Sequence, residues 1–219
     1  MVAVRTARDA LTLLRSDDHY DVISAFIKSI RGSDPDAGLY WLARMLQAGE
    51  DARFIARRLV ILASEDVGMA DPLGLVVADA AARAVEFVGL PEAQLNLAHA
   101  VIYLAAAPKS NTVMAGLTRA SEDASQMATG AVPGPLRSVH PYQSRKMREG
   151  GGYEYPHNEP SGFVAQEYRP PEVAGRVYYR PSPHGAEAAV GNRLRQLWGD
   201  AAYDSEEWWR FQKFHDPSR

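Results

Sequence analysis

Helix start and stop signals recur at helix-sized intervals through the first 130 or so residues and then give way to proline and glycine; no other feature restricts the fold of this chain as much. The stretch from His19 to Asp51 shows the pattern. Val22, Ile23, Phe26, Ile27 and Ile30 recur at the three- and four-residue steps of one helix face, with Lys28 and Arg31 elsewhere on the surface. Gly32-Ser33 ends that helix, Asp34 can cap the free N–H groups of the next, and Pro35 suits a first helical position because its missing N–H would be unpaired there. A second helix to about Gln47 places Leu39, Leu42, Met45 and Leu46, with Trp41 beside them, against the first. The loop between them is too short for anything but an antiparallel return.

The same grammar continues. Glu50 or Asp51 opens a third helix that runs to about Asp66, buries Ile55, Leu59 and Leu62, and ends at Gly68. Asp71-Pro72 opens a fourth that stops at Gly89. Pro91 opens a fifth that halts before Pro108, and a sixth spans about Ser110 to Ala128. The fifth is apolar nearly all round, which suits the centre of a bundle or a subunit contact. From Ala131 onward the many prolines and glycines exclude long helices. Tyr142, Tyr153, Tyr155, Phe163, Tyr168, Tyr178 and Tyr179 nevertheless make this stretch too apolar for a solvated tail, so a wrapping arm is expected, with Val177-Tyr178-Tyr179 as a brief extended piece. Short helices near Ala186 to Leu197 and Ser205 to Phe214 close the chain, and Val2 to Asp17 reads as a short amphipathic helix. The fold class is all-α: a bundle of about six helices, the arm, and short C-terminal helices.

A net charge of −3 gives no global attraction to nucleic acid or anionic membrane, so any such contact is local. The lack of cysteine excludes disulfides, thiolate zinc sites and thiol nucleophiles. The N-terminal stretch lacks the apolar core of a signal peptide, and no uncharged apolar run reaches the roughly 18 residues of a membrane span. Cytoplasm is the expected compartment, with nucleoid association compatible with it. No Gly-Lys pair occurs, so the phosphate loop GxxxxGK[ST] is missing and no ATP site is expected in this chain.

No catalytic, cofactor-binding or metal-binding residue is therefore expected in this chain. Glu65, Asp66 and Asp71 with His99 resemble a helical metal site only in composition, because no second histidine stands three or four residues from His99. His99 is read as a buried histidine bonded to a carbonyl or carboxylate, Glu65-Asp66 as a helix-end or hairpin polar contact, and His19 as part of a polar helix start. In Pro108-Lys109-Ser110-Asn111, Ser110 or Asn111 can cap the sixth helix. Lys109 and Asn111 are also candidate contacts for an anion, a DNA phosphate or a neighbouring subunit. The arm carries Arg137, Arg145, Lys146 and Arg148, then Arg169, Arg176 and Arg180 among tyrosines, a composition suited to single strands but nearly cancelled by neighbouring glutamates. Arg145, Lys146 and Arg148 are the candidate DNA contacts there.

The stretches ISAFIKSIRGSDPDAGLYWLARMLQAGED, FIARRLVILASEDVGMADP, AVEFVGLPE, AVIYLAAAPKSN and YEYPHNEPSGFVAQEY follow one another in an order that resembles the C-terminal region of the RarA/MgsA family of replication-associated recombination AAA+ ATPases, relatives of the Werner-helicase-interacting protein. That resemblance covers about Asp17 to Leu197. It implies an oligomerisation region, a homotetramer in that family, that positions ATPase portions at stalled forks or DNA ends. ATP and magnesium would bind in an ATPase portion outside this chain, and DNA and single-strand-binding protein would be partners of the full-length protein. It implies 1–17 as a connector, 18–130 as the helical oligomerisation domain, 131–197 as the arm and its packed helix, and 198–219 as an extension. Phe26, Trp41 and Tyr103 are the candidate oligomer-interface residues, because Trp41 and Tyr103 widen the apolar surface beyond one stripe. The alternative function is an accessory single-stranded DNA-binding module using the basic and aromatic arm.

Overall fold

A computed structural model describes residues 16–126, 130–137 and 153–199. Among them lie seven α-helices and no strand: α1 (Ser16–Arg31), α2 (Pro35–Gln47), α3 (Ala52–Leu62), α4 (Leu73–Phe87), α5 (Ala93–Ala106), α6 (Thr112–Gln126) and α7 (Glu187–Trp198). The all-α expectation holds. The described residues fall into two compact units, the first formed by 16–114 with 181–188, the second by 115–126, 130–137, 153–180 and 189–199.

In the first unit the local signals act as their chemistry requires. Asp34 Oδ1 accepts from the Ala37 N–H at 2.9 Å, and Asp51 Oδ1 accepts from the Arg53 N–H at 2.9 Å, so each carboxylate satisfies a donor that its helix start leaves free. Asp71 does the same for Leu73 at 3.1 Å. After Leu62 the third helix loosens into a π turn, Ala63–Val67, followed by a 3-10 turn, Gly68–Ala70. The widened turn swings Glu65 and Asp66 off the line a continued α-helix would give them.

Helix α5 is the hub, packed against α4, α2, α1 and α3. Its inner face, Leu97, Ala100, Val101, Leu104 and Ala105, is fully buried. Phe26 and Ile30 of α1, Leu42 and Met45 of α2, Ile55 and Leu59 of α3, and Ala78 and Ala81 of α4 complete the core. Small residues set the spacing. A Cβ on Gly38 would lie 2.9 Å from Val101 Cγ1, and one on Gly74 would lie 3.3 Å from Leu104 Cδ2, so both glycines let their helices approach α5 closely.

His99 is corrected by this arrangement. It is exposed, because α5 turns Leu97, Ala100, Val101 and Leu104 inward and leaves Leu95, His99, Ile102 and Ala106 together on its outer side. His19 is also placed by a specific partner, with Nδ1 lying 3.1 Å from Glu50 Oε2.

In the second unit, the later turns of α6 carry Gly116, Arg119 and Asp123 at successive turns of one face, and residues 176–178 lie along that face. The Tyr178 carbonyl would lie 3.1 Å from a Cβ on Gly116, and it accepts a hydrogen bond from Arg119 Nη2. Asp123 accepts from Arg176 Nη1 and from the Tyr178 hydroxyl, each at 2.9 Å. This part of the arm is thus packed, and Val177-Tyr178-Tyr179 joins no sheet among the described residues. Phe163 meets Trp198 edge to face at 5.1 Å between centroids. The helix read over Val2 to Asp17 lies outside the described residues except for its last two positions, and the one around Ser205 to Phe214 lies wholly outside them.

Candidate functional site

Three of the quoted stretches meet at one end of the first unit. Arg31, in the last turn of α1, sends Nε to Asp66 Oδ1 at 2.6 Å and Nη2 to Glu65 Oε1 at 3.3 Å, so the π turn and the end of α1 are held by one guanidinium. The bond to Asp66 and both carboxylates raise the Arg31 pKa against the opposing effect of burial. The Asp66 carbonyl accepts from the Ser110 N–H at 2.7 Å. Asp66 Oδ2 is buried without a hydrogen-bond partner. Glu65-Asp66 is therefore the polar contact its sequence suggested, with a partner 35 and 34 residues away.

Lys109 turns into the same junction. Its ammonium donates to Ser33 Oγ at 3.1 Å and to the carbonyls of Ala105 and Ala107. These carbonyls stand at the C-terminal end of α5, where a cation is favoured. Burial pulls the Lys109 pKa down. Ser110 Oγ accepts from the Thr112 N–H at the start of α6, and Asn111 beside it is exposed.

A second polar contact adjoins this one. Glu187, the first residue of α7, is fully buried, and its carboxylate accepts from the Thr112 hydroxyl and, at 2.6 Å, from the Ser182 hydroxyl. The Ala186 N–H donates to the Ala70 carbonyl at 2.8 Å. Residues 182–187 are thereby fixed to the 3-10 turn and the start of α6. The two hydroxyls paired with this carboxylate are themselves buried, and among the described residues no three His, Asp or Glu side chains are grouped to hold a metal.

The apolar exterior is a different kind of site. Phe87 is 93% exposed, Leu95 76%, Val76 61% and Leu73 60%. On α4 the exposed Leu73, Val76, Ala80 and Phe87 lie opposite the buried Gly74, Ala78, Ala81 and Val85; on α5, Leu95 and Ile102 share the outer face with His99. The sequence-chosen interface residues sit elsewhere. Phe26 is 1% exposed and fills the core, leaving almost no area for a second subunit. Trp41 is half-buried against that core, edge to face with Tyr40 and under the Arg44 guanidinium. Tyr103 is half-buried, and its hydroxyl donates to Asp71 Oδ2 at 2.8 Å, which raises its pKa. The run Leu73-Gly-Leu-Val-Val77 is too apolar for one face of α4 to hide.

Of the arm's cations, Arg169 is held by Glu167 at 2.6 Å and Arg176 by Asp123 at 2.9 Å. The Arg169 contact and the Gly175 N–H pull the Glu167 pKa down to about 2. Arg137 Nε donates to the Val132 carbonyl at 2.7 Å. Arg145, Lys146 and Arg148 lie outside the described residues. Between α3 and α4 a groove has Ala56, Val60, Ile61 and Ala82 along it and Arg53, Arg57 and Arg83 at its rim, where Glu86 pairs with Arg53 at 2.7 Å and Asp79 with Arg83 at 2.6 Å.

A family model described as MgsA AAA+ ATPase C terminal matches residues 32–198. An uncharacterized AAA domain-containing protein of Mycobacterium tuberculosis is 54% identical over 89% of this chain and 42% of its own length. The replication-associated recombination protein A of Escherichia coli K12 is 44% identical over 84% of this chain and 41% of its own length. The ATPase WRNIP1 of Dictyostelium discoideum is 37% identical over 74% of this chain and 19% of its own length. The chain thus spans under half the length of each of these relatives.

Proposed function

Because this chain belongs to the family of MgsA AAA+ ATPase C-terminal regions, we propose that it is the oligomerisation region of a replication-associated recombination ATPase, assembling a homotetramer that positions ATPase portions at stalled forks or DNA ends in the cytoplasm. The observation that supports this is the outward apolar face of α4 and α5. The core beneath is already closed, with Leu97, Val101 and Leu104 at 0% exposure, so Phe87, Leu95, Val76 and Leu73 are surplus to the fold of one chain. Burying one such side chain is worth about 1.5–3 kcal/mol, and a second copy of the same face supplies a surface of the same character. Arg83 and Asp79 beside it are paired with each other at 2.6 Å, so they bring no unmatched charge into a two-fold contact.

ATP and magnesium belong to the ATPase portion of the relatives. The residues described here do not fit them: Lys109 has three acceptors within its own unit, no three-ligand group stands among the described residues, and the sequence has no Gly-Lys pair. The chain alone is expected to show no ATP hydrolysis.

Light scattering tests the assembly. The wild-type chain at roughly 100 µM should have the mass of an oligomer, and Phe87→Glu with Val76→Glu should lower that mass while the helical circular-dichroism signal is kept. A monomeric wild type at that concentration ends the proposal.

A further inference from the structure

The rings of the arm divide into two groups. The Tyr178 hydroxyl is bonded to Asp123 and Phe163 is closed against Trp198, whereas Tyr153, Tyr155 and Tyr168 are 46%, 52% and 38% exposed. The open group is built rather than scattered. Tyr155 has extended backbone and Tyr153 stands two residues before it, so both rings project to one side, 6.5 Å apart between centroids. A 3-10 turn, Pro156–Asn158, then sets the His157 ring 5.0 Å from that of Tyr155. Gln166 holds the row in place. Its side-chain nitrogen donates to the Glu154 carbonyl at 2.8 Å and to the Tyr168 hydroxyl at 2.9 Å, and its oxygen accepts from the Glu154 N–H at 3.4 Å. One side chain thus satisfies the backbone as a neighbouring strand would, and keeps Tyr168 beside the row.

The charge around these rings has one sign. From Tyr153 to Tyr168 the chain carries Glu154, Glu159 and Glu167 and no lysine or arginine. Glu167 is held by Arg169, but Glu154 and Glu159 are exposed and make no ion pair among the described residues. Open ring faces and unpaired carboxylates repel a phosphate backbone and attract a cation. A guanidinium suits both, because it stacks on a ring while donating to a carboxylate. Alternate residues of an extended peptide are about 6.6 Å apart, close to the 6.5 Å between the Tyr153 and Tyr155 rings. We propose that Tyr153, Tyr155 and Tyr168, with Glu154 and Glu159, form a docking surface for an extended, arginine-bearing segment of a partner protein. The surface lies within the second unit and uses none of the α4 and α5 face, so it does not rest on the oligomerisation proposal.

The test uses the full chain and a labelled eight-residue peptide of alternating arginine and alanine, followed by fluorescence anisotropy at about 50 mM salt, where surface charge is weakly screened. The wild type should bind it, and Tyr155→Leu, which keeps the bulk but removes the ring face, should weaken binding about 2–5-fold. Tyr153→Leu and Glu154→Gln should each act in the same direction. Glu92→Gln, which removes an equal charge from the exposed start of α5, should leave the affinity unchanged. Ring-current shifts of the arginine methylene protons in the bound peptide, read by NMR with the wild-type chain, give a second readout should a tyrosine variant fail to fold. No binding by the wild type, equal losses in Glu92→Gln and Glu154→Gln, or unshifted methylene protons would overturn the surface. So would a labelled oligothymidylate that binds the wild type and loses affinity in Tyr155→Leu, since that assigns the rings to nucleic acid.

Discussion

Glu187 shows how much one buried acid can demand of its neighbours. Its carboxylate has no exposure and relies on the hydroxyls of Thr112 and Ser182. Thr112→Val keeps the shape but removes a hydrogen-bond donor from a buried carboxyl group, and should cost about 1–3 kcal/mol in urea unfolding. Thr112→Ser, which keeps the hydroxyl, should cost less. Glu167 offers a pH-dependent case. Its folded pKa is about 2 against an ordinary 4.5, so the Arg169 contact contributes fully above about 4.5 and is lost as pH falls toward 2. The pair is part-exposed, so the contribution is under about 1 kcal/mol. The stability difference between wild type and Glu167→Gln should therefore be greatest above pH 4.5 and shrink on acidification; a difference that is constant with pH would deny the pair this role.

At the scale of the helices, spacing decides more than propensity does. Alanine in place of Gly38 would improve the intrinsic helix preference of α2 by about 1 kcal/mol. Its Cβ, however, would stand 2.9 Å from Val101 and 3.3 Å from Ile30, both fully buried and β-branched, so neither can turn aside. We expect Gly38→Ala to be destabilising by about 1–3 kcal/mol in denaturant unfolding, with overpacking exceeding the gain in propensity. Val101→Ala combined with it should restore part of the loss, because the clash is with that side chain. The same reasoning explains the misplacement of His99: an almost wholly apolar helix gives periodicity no contrast, and only the neighbours show which stripe of α5 is inward.

For the whole molecule, assembly and stability are linked. If the outer face of α4 and α5 is covered by a second copy, dilution exposes it, and the melting temperature should fall as protein concentration is lowered from about 100 to 1 µM. Phe87→Glu should abolish that dependence while leaving the melting temperature at low concentration nearly unchanged, because Phe87 is 93% exposed and contributes little to the core. A concentration-independent melting temperature in the wild type would argue against a reversible oligomer.

The sequence by itself determined where helices begin and end, because those signals act within a few residues. Asp34, Asp51 and Asp71 each accept from an N–H two or three positions ahead, and Gly68 and Gly89 stop what precedes them. It also determined the core sides of α1 to α3, where apolar residues alternate clearly with charge. Only the tertiary structure decided which groups meet across the chain: Arg31 with Asp66, Thr112 with Glu187, Arg119 with the Tyr178 carbonyl, partners 35, 75 and 59 residues apart. It likewise turned Phe87 outward. Capping is settled by local hydrogen-bond geometry, whereas pairing and exposure depend on which helices pack together, and that is fixed by the volume available around α5.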